Sequence, residues 1–255
     1  MRDLDRVARA GKGETAPIRR IRVGELQAGL NRAGLAGLAF LACGCVILPT
    51  EGIWGWTLPV LLFLSLYLLV AALMRRHYPH TRFGPANSVT LIRAAMACSL
   101  LAPLVSGAAT GWAVALIAGA ALILDGVDGW LARRSGLASD FGARFDMEVD
   151  ALLALLLAVH AYIGTAAGAE VLALGLMRYV FVAAALPWPF LAQPLPPRWR
   201  RKAICVVQLA ALIILQLPGL PADAAITLTR LALALVLWSF AVDVLWLRAH
   251  QRPNG

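Results

Sequence analysis

Apolar residues in this chain run in blocks, with little of the alternation that marks a water-facing helix or strand. Eight blocks stand out, near 33–49, 54–74, 86–107, 111–131, 143–164, 170–190, 203–218 and 225–247, separated by short polar or glycine- and proline-bearing stretches. About 20 apolar residues of helix cross the hydrocarbon core of a bilayer. A helix apolar on every side is one that lipid or protein surrounds. The pattern therefore predicts an all-α, polytopic membrane bundle of about eight transmembrane helices. The seventh block is short and lies between Pro197 and Pro218, so its ends are the least defined. Trp54, Trp56, Trp112, Trp188, Trp199 and Trp246 fall near proposed helix ends, where interfacial aromatic belts form.

Composition agrees. Sixty per cent of the 255 residues are hydrophobic and the mean hydropathy is +0.75. An ordinary soluble domain is about 45–50% apolar. The net charge of +9 would be compatible with nucleic acid, but its placement points elsewhere. With the N-terminus in the cytoplasm, 20 of the 23 basic residues fall in inside segments, and Arg93, Arg178 and Arg230 lie within spans. That is the positive-inside bias, and it predicts a membrane face drawn to anionic lipid heads, with no nucleic-acid partner. Residues 1–32 carry eight of the basic side chains; Pro17 to Leu30 is either an interfacial helix or part of a solvated tail. No apolar stretch precedes residue 33, so no cleavable signal peptide is expected. Cys43, Cys45, Cys98 and Cys205 sit in apolar runs and read as small buried hydrophobes.

The chemistry is concentrated in Asp125 to Asp150, DGVDGWLARRSGLASDFGARFDMEVD. Carboxylates at the ends of apolar segments are costly, about 2.5–3.5 kcal/mol each on insertion scales, and call for bound cations. On a helix, Asp125 and Asp128 (i, i+3) share a face, as do Asp146 and Asp150 (i, i+4). Arg133 to Phe141 reads as the turn between two antiparallel helices. Four oxygen ligands across one gap suit Mg²⁺ or Mn²⁺ and suit zinc poorly.

This stretch resembles the signature of the CDP-alcohol phosphotransferases, D-G-x-D-G-x-x-A-R, eight residues, then G-x-x-x-D-x-x-x-D. The matching positions are Asp125, Gly126, Asp128, Gly129, Ala132, Arg133, Gly142, Asp146 and Asp150. Upstream, PANSVTLIR is similar to the family's P-N-x-x-T-x-x-R through Asn87, Thr90 and Arg93, with Ala86 inserted after Pro85. The resemblance covers the chain from about Pro85 onward, which makes residues 83–255 a six-helix core and leaves outside it two additional transmembrane helices (33–82) and a basic cytoplasmic segment (1–32). It implies transfer of a phosphatidyl group from a CDP-linked lipid such as CDP-diacylglycerol to an alcohol, with release of CMP, in phospholipid biosynthesis. The expected setting is a bacterial inner membrane, with termini and active site cytoplasmic and the chain a homodimer.

The resemblance also implies roles. Asp125, Asp128, Asp146 and Asp150 would hold Mg²⁺ or Mn²⁺, two ions in all, with Asp150 also the base that takes the acceptor hydroxyl proton. Asn87, Thr90, Gly129, Ala132, Arg133 and Gly142 would line the nucleotide site. Arg178, in mid-span, and the basic cluster Arg198, Arg200, Arg201 and Lys202 would receive an anionic acceptor. Arg93 is expected to pair with a carboxylate, Glu148 to point away from the metal ligands, and Asp243 to pair with an arginine. The acceptor stays open among glycerol 3-phosphate, inositol phosphate, serine and choline. The competing reading is a divalent-cation transporter, whose site would be expected nearer the midplane.

Overall fold

The computed structural model describes residues 15–193 and 199–250, with side chains described from residue 24 onward. The described residues form eight helices of 14 residues or more and no strand. These are α1 (Thr15–Ile47), α2 (Gly52–His77), α3 (Pro85–Ser99), α4 (Trp112–Ser135), α5 (Asp140–Gly164), α6 (Val171–Ala184), α7 (Trp199–Ile214) and α8 (Ala222–Ala249). A five-residue helix, Leu101–Val105, prolongs α3, and a 3-10 turn, Pro189–Ala192, follows α6. Six helices are long and apolar enough to cross a membrane, α3 counted with its extension. The other two, α6 and α7, have 14 and 16 residues. Large side chains such as Leu35, Leu68, Leu116, Ile123, Leu231 and Leu245 are exposed on the outer faces, as lipid contact allows.

Three boundaries differ from the sequence expectation. A separate interfacial helix over 17–30 is not formed: α1 runs unbroken from Thr15 and its membrane-length part is Gly24–Ile47. Pro17 lies in its first turn, where a missing N–H costs nothing, and no later proline interrupts it. The sixth helix stops at Ala184 and does not reach 190, because Pro187 and Pro189 cannot continue it. The seventh starts at Trp199, four residues before the expected edge, so Arg200, Arg201 and Lys202 form its first turn. Residues 1–14 and Arg198 lie outside the described residues.

α3 is the axis of the bundle, packed against α1, α2, α4 and α5. One of its faces carries Leu91, Ala94, Ala95 and Cys98 into a cluster with Leu30, Leu41, Phe63 and Val70 of α1 and α2. The opposite face, Met96 and Ala97, joins Ala118, Leu153, Leu157, Leu174, Leu212 and Val236 from the other helices. Between helices in lipid the hydrophobic effect is weak, and close packing of small residues takes its place. The fully buried Ala94, Ala95 and Ala97 are what allow neighbours on both sides to approach.

The turns sort into two poles. At one, the Thr50–Glu51 turn meets Ser106, whose hydroxyl accepts from the Glu51 N–H (2.7 Å), and the Gly111 N–H donates to the Gln216 carbonyl (3.0 Å). His160, fully buried beneath, turns its ring nitrogens to the carbonyls of Leu100 (2.8 Å) and Ala109. At the other pole, His80 Nε2 lies 3.2 Å from the Ala138 carbonyl and Arg82 pairs with Glu25 at 3.3 Å. The aspartates face this second pole.

Candidate active site

Local rules place the four aspartates. α4 ends because Gly136 takes the left-handed conformation (φ 66°), a stop favouring glycine. Three residues later Ser139 caps α5, its hydroxyl accepting from the Gly142 N–H at 3.1 Å, and Asp140 in the first turn suits the helix dipole. The tight turn returns the chain so that the last turns of α4 and the first turns of α5 both lie against α3. Asp125 and Asp128 thereby face Asp146 and Asp150 across the gap, with α3 closing the inner side.

Arg93 fills the centre of this arrangement. Its Nη1 lies 2.7 Å from Asp128 and 2.5 Å from Asp146; its Nη2 lies 3.3 Å from Asp125 and also contacts Asp150. Its Nε donates to the Ala121 carbonyl at 3.1 Å. The guanidinium has no solvent exposure, whereas the carboxylates open progressively from Asp128 (4%) to Asp146 (33%). Asp146 therefore marks the mouth and Asp128 the floor. Thr90 Oγ1 lies 3.2 Å from Asp128. Cys205, on α7, brings its thiol within 3.8 Å of Asp150.

One oxygen from each of Asp125, Asp128 and Asp146 can be chosen so that all three lie within 4.8 Å of one another. An all-carboxylate donor set of that size suits a hard divalent cation, so this group could hold one. Asp150 lies beside it, against Arg93 and Cys205.

The sequence-selected nucleotide residues gather at the same pole. Asn87 is buried and donates to the Tyr78 hydroxyl at 3.1 Å. A methyl at Gly142 would stand 2.8 Å from Asn87 Oδ1, so only glycine lets α5 approach α3 there without displacing that amide. A methyl at Gly129 would lie 3.6 Å from Arg133 Nη1 and 3.7 Å from Lys202 Nζ, which brings those two cations to one spot beside the aspartates. Ala132 lies one turn further along α4, partly covered.

The acceptor candidates are not brought together. Arg178 is not the unpartnered mid-span cation its sequence neighbourhood suggests. Its Nε donates to Glu148 at 3.2 Å and its Nη2 contacts the other carboxylate oxygen. Glu148 projects from the side of α5 away from the cluster, as its helical phase requires. Arg200 donates to the Ser239 hydroxyl (2.7 Å) and pairs with Asp243 (2.5 Å), while Arg201 Nε lies 3.9 Å from Asp243. Among the acceptor candidates, Lys202 approaches the cleft beside Gly129.

Two residues went unmarked in the sequence. Tyr78 precedes the motif by a turn-forming stretch with no diagnostic spacing. Burial pushes its phenol above the usual range, keeping it a neutral partner for Asn87 and for the Gly84 N–H. Cys205 reads as one more apolar-run cysteine, and only the α5–α7 packing puts it at Asp150.

Fold and site thus define a polytopic membrane-helix bundle with an acidic cluster at one pole that could hold a metal ion. A family model described as CDP-alcohol phosphatidyltransferase matches residues 83–244, well over half of the chain, and the chain belongs to that family. The match begins just before α3 and leaves α1 and α2 wholly outside it. Comparison with curated proteins and with solved structures returns no match. The family consists of transferases of substituted phosphate groups that act on CDP-alcohols.

Proposed function

We propose that this protein transfers a phosphatidyl group from a CDP-diacylglycerol-type lipid to a small alcohol, releasing CMP at the cytoplasmic face. The observation that carries the reading is the cluster of Asp125, Asp128 and Asp146 beside Asp150, at a membrane pole where small residues and cations adjoin it. Bound Mg²⁺ or Mn²⁺ would neutralise pyrophosphate charge and polarise the attacked phosphorus. The residues that would hold the ions are Asp125, Asp128, Asp146 and Asp150.

The remaining work falls to the chain itself. Asn87, held by Tyr78, and Gly129, Ala132 and Gly142 leave room for a flat base between α3, α4 and α5. Arg133 and Lys202 converge beside Gly129 and would receive phosphate oxygens of the donor, Arg133 through its planar fork. Asp150 takes the proton of the acceptor hydroxyl as the new O–P bond forms, and the electron pair of the broken P–O bond leaves with CMP. Arg178 and Arg201 would bias the acceptor toward anionic alcohols, Arg178 only after exchanging its Glu148 partner for substrate. The basic residues concentrated at the aspartate pole support a cytoplasmic orientation.

The test is a panel of acceptors with purified protein and radiolabelled CDP-diacylglycerol, reading CMP. Release that requires both an acceptor and Mg²⁺ or Mn²⁺ is expected. Absence of CMP with every acceptor, together with Mg²⁺ flux into proteoliposomes, would replace this reading with transport.

A further inference from the structure

Arg93 makes more contacts with the aspartates than a structural ion pair needs. A guanidinium has five N–H groups; here it donates to the Ala121 carbonyl and to one oxygen each of Asp128, Asp146 and Asp150, and an oxygen of Asp125 lies 3.3 Å from Nη2 as an ion pair. All four carboxylates therefore share one buried cation, fixed to α4 by the Ala121 contact. Of their eight oxygens, four are taken up by the guanidinium. A hard divalent ion prefers about six oxygen ligands, and it meets the same carboxylates with half their oxygens engaged.

We infer that Arg93 is a built-in cation that assembles the four carboxylates before metal binds and competes with the metal for them, setting the affinity of the site. The inference rests on the metal-dependent transfer proposed above. With four carboxylates and one guanidinium, the cluster has a formal charge of −3 (−4 + 1). That deficit still draws a divalent ion, but each charge on Arg93 opposes the ion at short range, where effective screening is weaker than in water. The consequence is a site that stays folded when empty and binds its metal reversibly. A tetracarboxylate with no internal cation would be unstable empty and would hold metal tightly.

The experiment uses the full-length protein in detergent micelles, with Mn²⁺ as the probe. Free Mn²⁺ is counted by electron paramagnetic resonance, and thermal midpoints are read with and without Mn²⁺. Arg93→Lys keeps the charge but offers three N–H groups to four carboxylates; Arg93→Gln removes the charge. The empty proteins are expected to melt in the order wild type, Arg93→Lys, Arg93→Gln, from highest to lowest. The rise in midpoint on adding Mn²⁺ is expected in the reverse order, with Mn²⁺ bound about tenfold or more tightly by Arg93→Gln than by wild type. Where Arg93→Gln does not fold, the comparison of Arg93→Lys with wild type decides.

Equal Mn²⁺-induced shifts in all variants would reduce Arg93 to a structural pair, and weaker Mn²⁺ binding without it would make the arginine a helper of the metal; either overturns the inference. Mn²⁺ binding in the expected order without CMP release would leave this inference standing and defeat the transfer reading. Absence of Mn²⁺ binding in every protein would defeat both.

Discussion

Asp243 is nearly buried in the last helix and its carboxylate meets Arg200 at 2.5 Å, with Arg201 at 3.9 Å. Arg200 also reaches the Ser239 hydroxyl and backbone carbonyl and lies over the Trp238 ring, 5.4 Å from its centroid. This cluster ties α7 to α8 and offsets an unfavourable feature, three cations in the first turn of a helix, where the dipole repels them. Breaking a buried pair by removing one partner costs about 3–5 kcal/mol. Arg200 keeps Ser239 and 19% exposure, so Asp243→Ala should fall at the low end, about 3 kcal/mol. For a chain of this size that is a fall in thermal midpoint of about 6–12 °C, measured by tryptophan fluorescence in detergent at one scan rate. A double-mutant cycle with Arg200→Met isolates the coupling. Because Lys202 follows Arg200 by two residues, the same loosening should raise the KM for the CDP-linked donor. A midpoint shift below 2 °C, or additive single mutants, would refute the reasoning and make the α7 cations independent of α8.

Three further outcomes follow from the site. Asp128→Asn, at the floor of the cluster, should abolish CMP release while the protein still folds, and excess EDTA should do the same to wild type; full turnover in EDTA would remove the metal from the chemistry. Gly142→Ala should push Asn87 aside through the 2.8 Å clash and raise the donor KM several-fold with the acceptor KM unchanged; unchanged kinetics would show that the amide is dispensable. Cysteines at positions 135 and 219 should label from opposite sides of the membrane, position 135 from the cytoplasm; labelling of 135 from outside in intact cells would invert the orientation of the active site.

What could be read from the sequence and what could not divides by the range of the interaction. Six of the eight helices were legible because bilayer thickness imposes a length and an all-round apolarity that lie wholly within each segment, whereas α6 and α7, at 14 and 16 residues, show as apolar blocks but fall short of that length. The aspartate pairs were legible because i, i+3 and i, i+4 spacing fixes a face within one helix, and because a short glycine-bearing turn leaves the next helix little choice but to return alongside. Helix ends were less so. The continuity of α1 through its basic stretch depends on backbone hydrogen bonds that polarity does not report. The early start of α7 places Arg200 and Arg201 against Asp243, with Arg200 43 residues away from it in sequence. Tyr78 and Cys205 acquired their positions only from packing between helices, and no local pattern marks them.

Arg178 makes the same point for function. Its sequence neighbourhood holds no acid within a helical turn, which reads as a cation waiting for a substrate. In the bundle Glu148 supplies the partner from 30 residues away, in a pair with 31% and 55% of the side chains exposed. An exposed pair of this kind contributes about 0.2–1 kcal/mol, so Arg178→Ala should lower the thermal midpoint by no more than a few degrees. That small cost gives the substitution its diagnostic value. A structural arginine, removed, would move stability and leave both Michaelis constants alone. An arginine that exchanges Glu148 for an anionic acceptor would raise the acceptor KM by about tenfold to a hundredfold, the range of a charged hydrogen bond, and leave the donor KM in place. Glu148→Gln separates the two further: freeing the guanidinium should lower the acceptor KM if Arg178 reaches the acceptor. If Glu148→Gln changes neither constant and Arg178→Ala changes only stability, the preference for an anionic acceptor would have to rest on Arg201.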